Sequence, residues 1–173
     1  PDVATGRLQQ AEFAADLYQV ANGLADEEYL DPEKFFRRTF LTVGLQQLLV
    51  GAAERLSGKG GDPVIDLQTN FGGGKTHSMI ALYHLASGIA VTKLMGVEAL
   101  LDEHKLELPP KMNRAVVTGQ WLSPSMPSMK PDGTEVSTIW GEIAWQLCGK
   151  NGYALVAKAD KEGTNPGDKL IEV

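Results

Sequence analysis

A single cysteine, Cys148, has no partner for an internal disulfide, which excludes a cross-linked secreted scaffold. It falls in an apolar stretch of helical spacing. With no Cys-His pairing suggested, it is expected as a core thiol rather than a nucleophile. No apolar run approaches the length needed to span a bilayer. The opening residues lack the basic-then-apolar order of a secretion leader. These absences point to a cytoplasmic chain with no membrane partner. Positive charge is also short, with 16 Lys and Arg against 22 Asp and Glu and a net charge of −6. Residues 1–61 carry 6 basic and 9 acidic groups and residues 62–173 carry 10 and 13, so neither part is a basic module. A wholesale nucleic-acid binder is therefore not supported. The cluster Lys34, Arg37 and Arg38 is interleaved with acids and reads as a solvated helix face. The three histidines, His77, His84 and His104, show no metal-ligand spacing.

What is present centres on residues 64–77. The run Val64-Ile65-Asp66-Leu67 is apolar and β-branched. It feeds a glycine-rich turn ending in Gly74-Lys75-Thr76, and helix-period sequence follows at once. Strand, loop and helix in this order form a phosphate-binding loop. Small residues let successive N–H groups converge on an anion, and the helix start adds unpaired amides and the positive end of its dipole. The expected ligand set is Thr69, Asn70, Phe71, Gly72, Gly73, Gly74, Lys75, Thr76 and His77. Lys75 is the catalytic group, reaching the β- and γ-phosphate oxygens as a point charge. Thr76 supplies a hydroxyl to Mg²⁺. The backbone N–H of His77 faces the α-phosphate, and its ring is structural. The general pattern is G-x-x-x-x-G-K-[ST], and Thr69 stands where the first glycine belongs. The bland alternative is a glycine turn between strand and helix, with Lys75 merely solvated.

Around this loop the spacing predicts an early helix over 7–22. A long helix over 32–56 is capped by Asp31, with Phe36, Phe40, Leu45, Leu48, Leu49, Ala52 and Leu56 as its buried stripe. Strands are expected at 63–67 and 115–118, as parallel neighbours. Helices are expected at 75–87, pressed against a sheet, and at 97–104. Pro131-Asp132-Gly133 is a turn, Thr138 caps a helix over 139–148, and another helix covers 153–161. The fold class is α/β, with a three-layer P-loop NTPase core over 62–173 preceded by a helical segment over 1–61. Two strands do not complete such a sheet, and the chain opens with Pro1. The expectation is a fragment holding the first half of the core.

Hydrolysis by this class uses an apolar strand ending in Asp-Glu. The literal candidate, Ala99-Leu100-Leu101-Asp102-Glu103, has helical spacing, so the working motif is expected beyond Val173. Thr118 and Gln120, at the carboxyl end of a strand, are candidates for the γ-phosphate or its water. Trp121 beside them is expected in the core.

The runs 68–79 (QTNFGGGKTHSM), 29–36 (YLDPEKFF), 138–145 (TIWGEIAW) and 163–167 (GTNPG) resemble large bacterial and archaeal AAA-type ATP-binding proteins defined by a conserved domain of unknown function. That group is similar to the PglY-type ATPases of BREX phage-exclusion systems. The resemblance implies an AAA-like P-loop fold, ATP and Mg²⁺ as ligands, and homo-oligomer or defence-complex partners. It also implies an Asp-Glu motif after the point where this sequence ends. The resulting expectation is the ATP-binding portion of a P-loop ATPase, with adenine toward 29–36. The rival readings are a non-hydrolysing nucleotide-binding scaffold and part of a DNA-dependent motor.

Overall fold

The computed structural model describes residues 16–68, 74–119 and 127–167. The chain divides into two compact units, Pro1–Met112 and Asn113–Val173. That division differs from the expected boundary at 61/62, because the helix after the loop packs with the helices that precede it.

In the first unit the described helices are α1 (Leu17–Ala21), α2 (Glu27–Leu30), α3 (Pro32–Arg38), α4 (Val43–Leu56), α5 (Lys75–Leu85) and α6 (Val97–Glu103). Among the described residues a 3-10 turn covers Val91–Lys93. Carboxylates start two of the helices. Asp16 accepts the Tyr18 amide at 2.8 Å, and Asp31 accepts the Glu33 and Lys34 amides at 2.8 and 3.1 Å, with Pro32 in the first turn. The charged run on α3 is solvated as expected, since Lys34 pairs with Glu27 and Arg38 with Glu28 through exposed side chains.

The expected single helix over 32–56 is two helices. Thr39 ends α3 with an extended backbone, and its hydroxyl bonds back to the Phe35 carbonyl at 2.8 Å. Thr42 opens α4 by accepting the Leu45 amide at 3.3 Å. Threonine side chains compete for backbone partners in this way, which favours caps over helix interiors. The break moves Phe40 off the buried stripe, to 84% exposure.

The core of this unit is apolar and continuous. Phe36, Leu49, Ala53, Ile80, Ala81, Leu85, Leu94 and Val97 are at most 1% exposed. Burying a large side chain of this kind contributes about 1.5–3 kcal/mol. α4 packs on α5 and α6, and α5 also meets α1 and α3. The apolar character of α5 on several sides is thus met by helices among the described residues, where a sheet was expected. Residues 64–68 form no strand ladder among the described residues. Val64 is 81% exposed, while Leu67 packs on the core. A β-prone run becomes a strand only when a neighbour takes its backbone groups.

The second unit holds an antiparallel pair, β1 (Ser128–Met129) and β2 (Glu135–Val136), with Ser128 opposite Val136 and Met129 opposite Glu135. The predicted turn lies between them. The Asp132 carboxylate accepts the Thr134 amide at 2.9 Å. α7 (Ile139–Glu162) follows, capped by Thr138 and interrupted at Gly149. The two expected helices therefore run on across a kink. Cys148, beside that kink, is exposed, which corrects the expectation of a core thiol. Residues 115–118 form no strand ladder among the described residues. The Gln146 side-chain amide instead takes both backbone groups of Val116, at 2.7 and 2.8 Å, as a neighbouring strand would.

Asp160 closes this unit. It is 1% exposed and accepts the Ser137 amide (3.0 Å), the Thr138 amide (2.8 Å), the Thr138 hydroxyl (2.6 Å) and the Tyr153 hydroxyl (3.0 Å). A Cβ added at Gly141 would lie 2.2 Å from its Oδ1. Alanine normally stabilises a helix interior relative to glycine by roughly 0.5–1 kcal/mol. At Gly51, mid-α4, an added Cβ meets nothing within 4 Å. Gly51→Ala should therefore raise the thermal midpoint seen by circular dichroism, while Gly141→Ala should lower it.

Candidate functional site

The first turn of α5 departs from every local preference except one. Its N-cap, Gly74, is left-handed at φ 75°, ψ 17°, a conformation that glycine adopts without strain. Among the described residues no side chain caps the helix, and no acidic residue lies in its first turn. Its first residue is a lysine, so a cation sits at the positive end of the helix dipole. An isolated helix would favour an acid there. An anion held at the amides of Lys75, Thr76 and His77 would take up those donors and lie beside the lysine. Local preferences that fail together mark functional positions more often than accidents.

The turn is fixed in place from the side. His77 Nε2 lies 2.9 Å from Thr39 Oγ1. The Thr39 hydroxyl already donates to the Phe35 carbonyl, so His77 donates from Nε2 and Thr39 accepts. The ring stacks on Phe35 with centroids 4.6 Å apart. Burial pushes the His77 imidazole below its ordinary value, which keeps it neutral. Two turns further along the same face, His84 is 1% exposed, and its Nε2 lies 2.7 Å from the Tyr29 carbonyl. Both rings hold α5 to the α2–α3 segment, a structural role expected for His77. Thr39 was missed as a member of this arrangement, because its position at the end of α3 was hidden inside an expected helix.

Of the predicted ligand set, Gly74, Lys75, Thr76 and His77 are described, and they form one helical turn. Thr69, Asn70, Phe71, Gly72 and Gly73 lie outside the described residues, as do Gln120 and Trp121. In the second unit the Thr118 hydroxyl is buried with no hydrogen-bond partner among the described residues. Asp102 and Glu103 sit on α6 and are exposed. The literal Asp-Glu run is therefore helical, as its spacing predicted. No group of three or more His, Cys, Asp or Glu among the described residues is placed to hold a metal ion. No helix there is long and apolar enough to cross a membrane.

A family model for the DUF499 N-terminal domain matches residues 1–172. The chain belongs to the DUF499 family. No curated protein and no solved structure matches it. Membership carries no activity with it, so the chemistry of this DUF499 domain rests on the turn at Gly74–His77. The match runs through both compact units, so the hairpin and α7 belong to the domain as much as the helices do.

Proposed function

We propose that this domain binds a nucleoside triphosphate, ATP with Mg²⁺, at the start of α5, as the nucleotide-binding part of a P-loop ATPase of the AAA type similar to the PglY-type proteins. The observation that carries the reading is the left-handed Gly74 followed by Lys75 and Thr76 on a first turn with no side-chain cap among the described residues. The amides and the lysine suit the phosphates. The Thr76 hydroxyl suits Mg²⁺, which otherwise keeps water and phosphate oxygens around it. The likeness of the run 68–79 to AAA-type proteins supports the same assignment.

The proposal is for binding. Hydrolysis needs a carboxylate pair that orders metal and water, and Asp102-Glu103 on α6 does not supply one. That favours the second reading, of a module that holds nucleotide without turning it over. Calorimetric titration with MgATP tests the binding claim, and a turnover assay on the same sample separates the two readings. Saturable binding without phosphate release supports the second. No heat and no competition at any ATP concentration removes both.

A further inference from the structure

We propose that Phe40 is the stacking platform for the nucleotide base, an inference that rests on the nucleotide-binding reading above. The base was expected near 29–36, but Phe35 and Phe36 are at most 2% exposed and belong to the core. Neither face of those rings is open to a ligand. Phe40 is the next aromatic along the chain, and it is 84% exposed.

Its exposure does not come from a loose loop. Thr39 is bonded to His77 and to the Phe35 carbonyl. The Leu41 carbonyl accepts the Gln46 side-chain amide at 3.0 Å, and Leu41 packs on the core. The Thr42 amide donates to the Phe40 carbonyl at 2.9 Å, and the Thr42 hydroxyl caps α4. Backbone on both sides of Phe40 is held while its ring projects into solvent. A flat aromatic face presented on a fixed loop is available to stack on a ligand.

The position selects the ligand. Thr39 touches the ring of His77, a residue in the same turn as Lys75 and Thr76. Phe40 is one residue further, about 3.8 Å along the backbone. A nucleotide with its phosphates on that turn extends its base beyond them, so a platform beside the turn and not within it suits the base. A single flat ring with no hydrogen-bonding group grips a base by its face, so it discriminates weakly between adenine and guanine. On this account the His77–Thr39 contact has a use beyond packing, since it fixes the base platform relative to the phosphate turn.

The test compares ATP with inorganic tripolyphosphate on the parent chain, Phe40→Ala, Phe40→Trp and Lys75→Ala. The ring is largely exposed, so its removal leaves the core intact. Phe40→Ala is expected to lose about tenfold in ATP affinity, with tripolyphosphate affinity unchanged. Phe40→Trp is expected to retain ATP affinity, with indole fluorescence that responds to ATP but not to tripolyphosphate. Parent-like ATP affinity in Phe40→Ala, alongside loss in Lys75→Ala, would overturn the base contact and leave the phosphate site standing. Equal loss of both ligands in Phe40→Ala would also overturn it, since the ring would then act through the loop. A parent chain that binds neither ligand would remove the nucleotide reading and this inference together.

Discussion

Lys75→Ala is expected to weaken MgATP binding by about ten- to a hundredfold, since a hydrogen bond to a charged group contributes about 1.5–3 kcal/mol net and about 1.4 kcal/mol is a decade in affinity. The effect has a defined signature. Lys75 begins α5, where an ammonium opposes the helix dipole. Removing it takes the point charge from the ligand while the amides of the turn remain. A loss of ATP affinity in a chain that still unfolds cooperatively is therefore the predicted pair of results. Lys75→Arg should not restore full affinity, because a planar fork does not replace a compact ammonium. Isothermal calorimetry on the three proteins, with a thermal melt of each, makes the comparison.

Asp160→Ala should cost the second unit about 3 kcal/mol or more, because it strips four donors of one buried acceptor and leaves each with a desolvation penalty of about 1–3 kcal/mol. Burial alone would raise this carboxyl. Donation from the Thr138 hydroxyl, the Ser137 and Thr138 amides and the Tyr153 hydroxyl outweighs it, and the group sits below its ordinary value. The Tyr153 hydroxyl moves the other way, held up to about 12 by burial and then by its bond to Asp160. The sign of the pH effect follows. In the window between the lowered folded value and the ordinary carboxylate value, the unfolded chain binds more protons, so stability rises with pH. The contribution is whole above the ordinary range and is lost as pH falls through the folded value. Asp160→Asn should remove that acid slope as well as stability. All three tryptophans, Trp121, Trp140 and Trp145, belong to the second unit. Tryptophan fluorescence in urea therefore reads this unit, and a midpoint within error of the parent would contradict the assignment.

Features set by local chemistry were legible in the sequence. Asp31 with Pro32, Thr138, and the 131–133 turn were each predicted from one or two residues that satisfy their own neighbours' backbone groups. The helical character of 97–103 followed from spacing alone. The break at 39–42 was not legible, because Phe40 falls in phase with Phe36 and the competing hydroxyls of Thr39 and Thr42 carry no periodicity. Strands at 63–67 and 115–118 depended on partners that no propensity supplies, and for Val116 the described partner is a glutamine side chain on a helix. Asp160 was invisible for a related reason. Its four donors come from residues 7 to 23 positions earlier, a distance over which sequence spacing predicts nothing. The start of a helix at Lys75 after a glycine turn was legible because Gly74 takes there a left-handed backbone that other residues rarely adopt.

The central claim is that the first amides of α5 face a bound phosphate. Hydrogen exchange of residues 74–77, followed with and without saturating MgATP, tests it most directly. The account predicts slower exchange at these amides in the nucleotide-bound chain, with little change in α7. Exchange at 74–77 that stays the same with and without MgATP would contradict it.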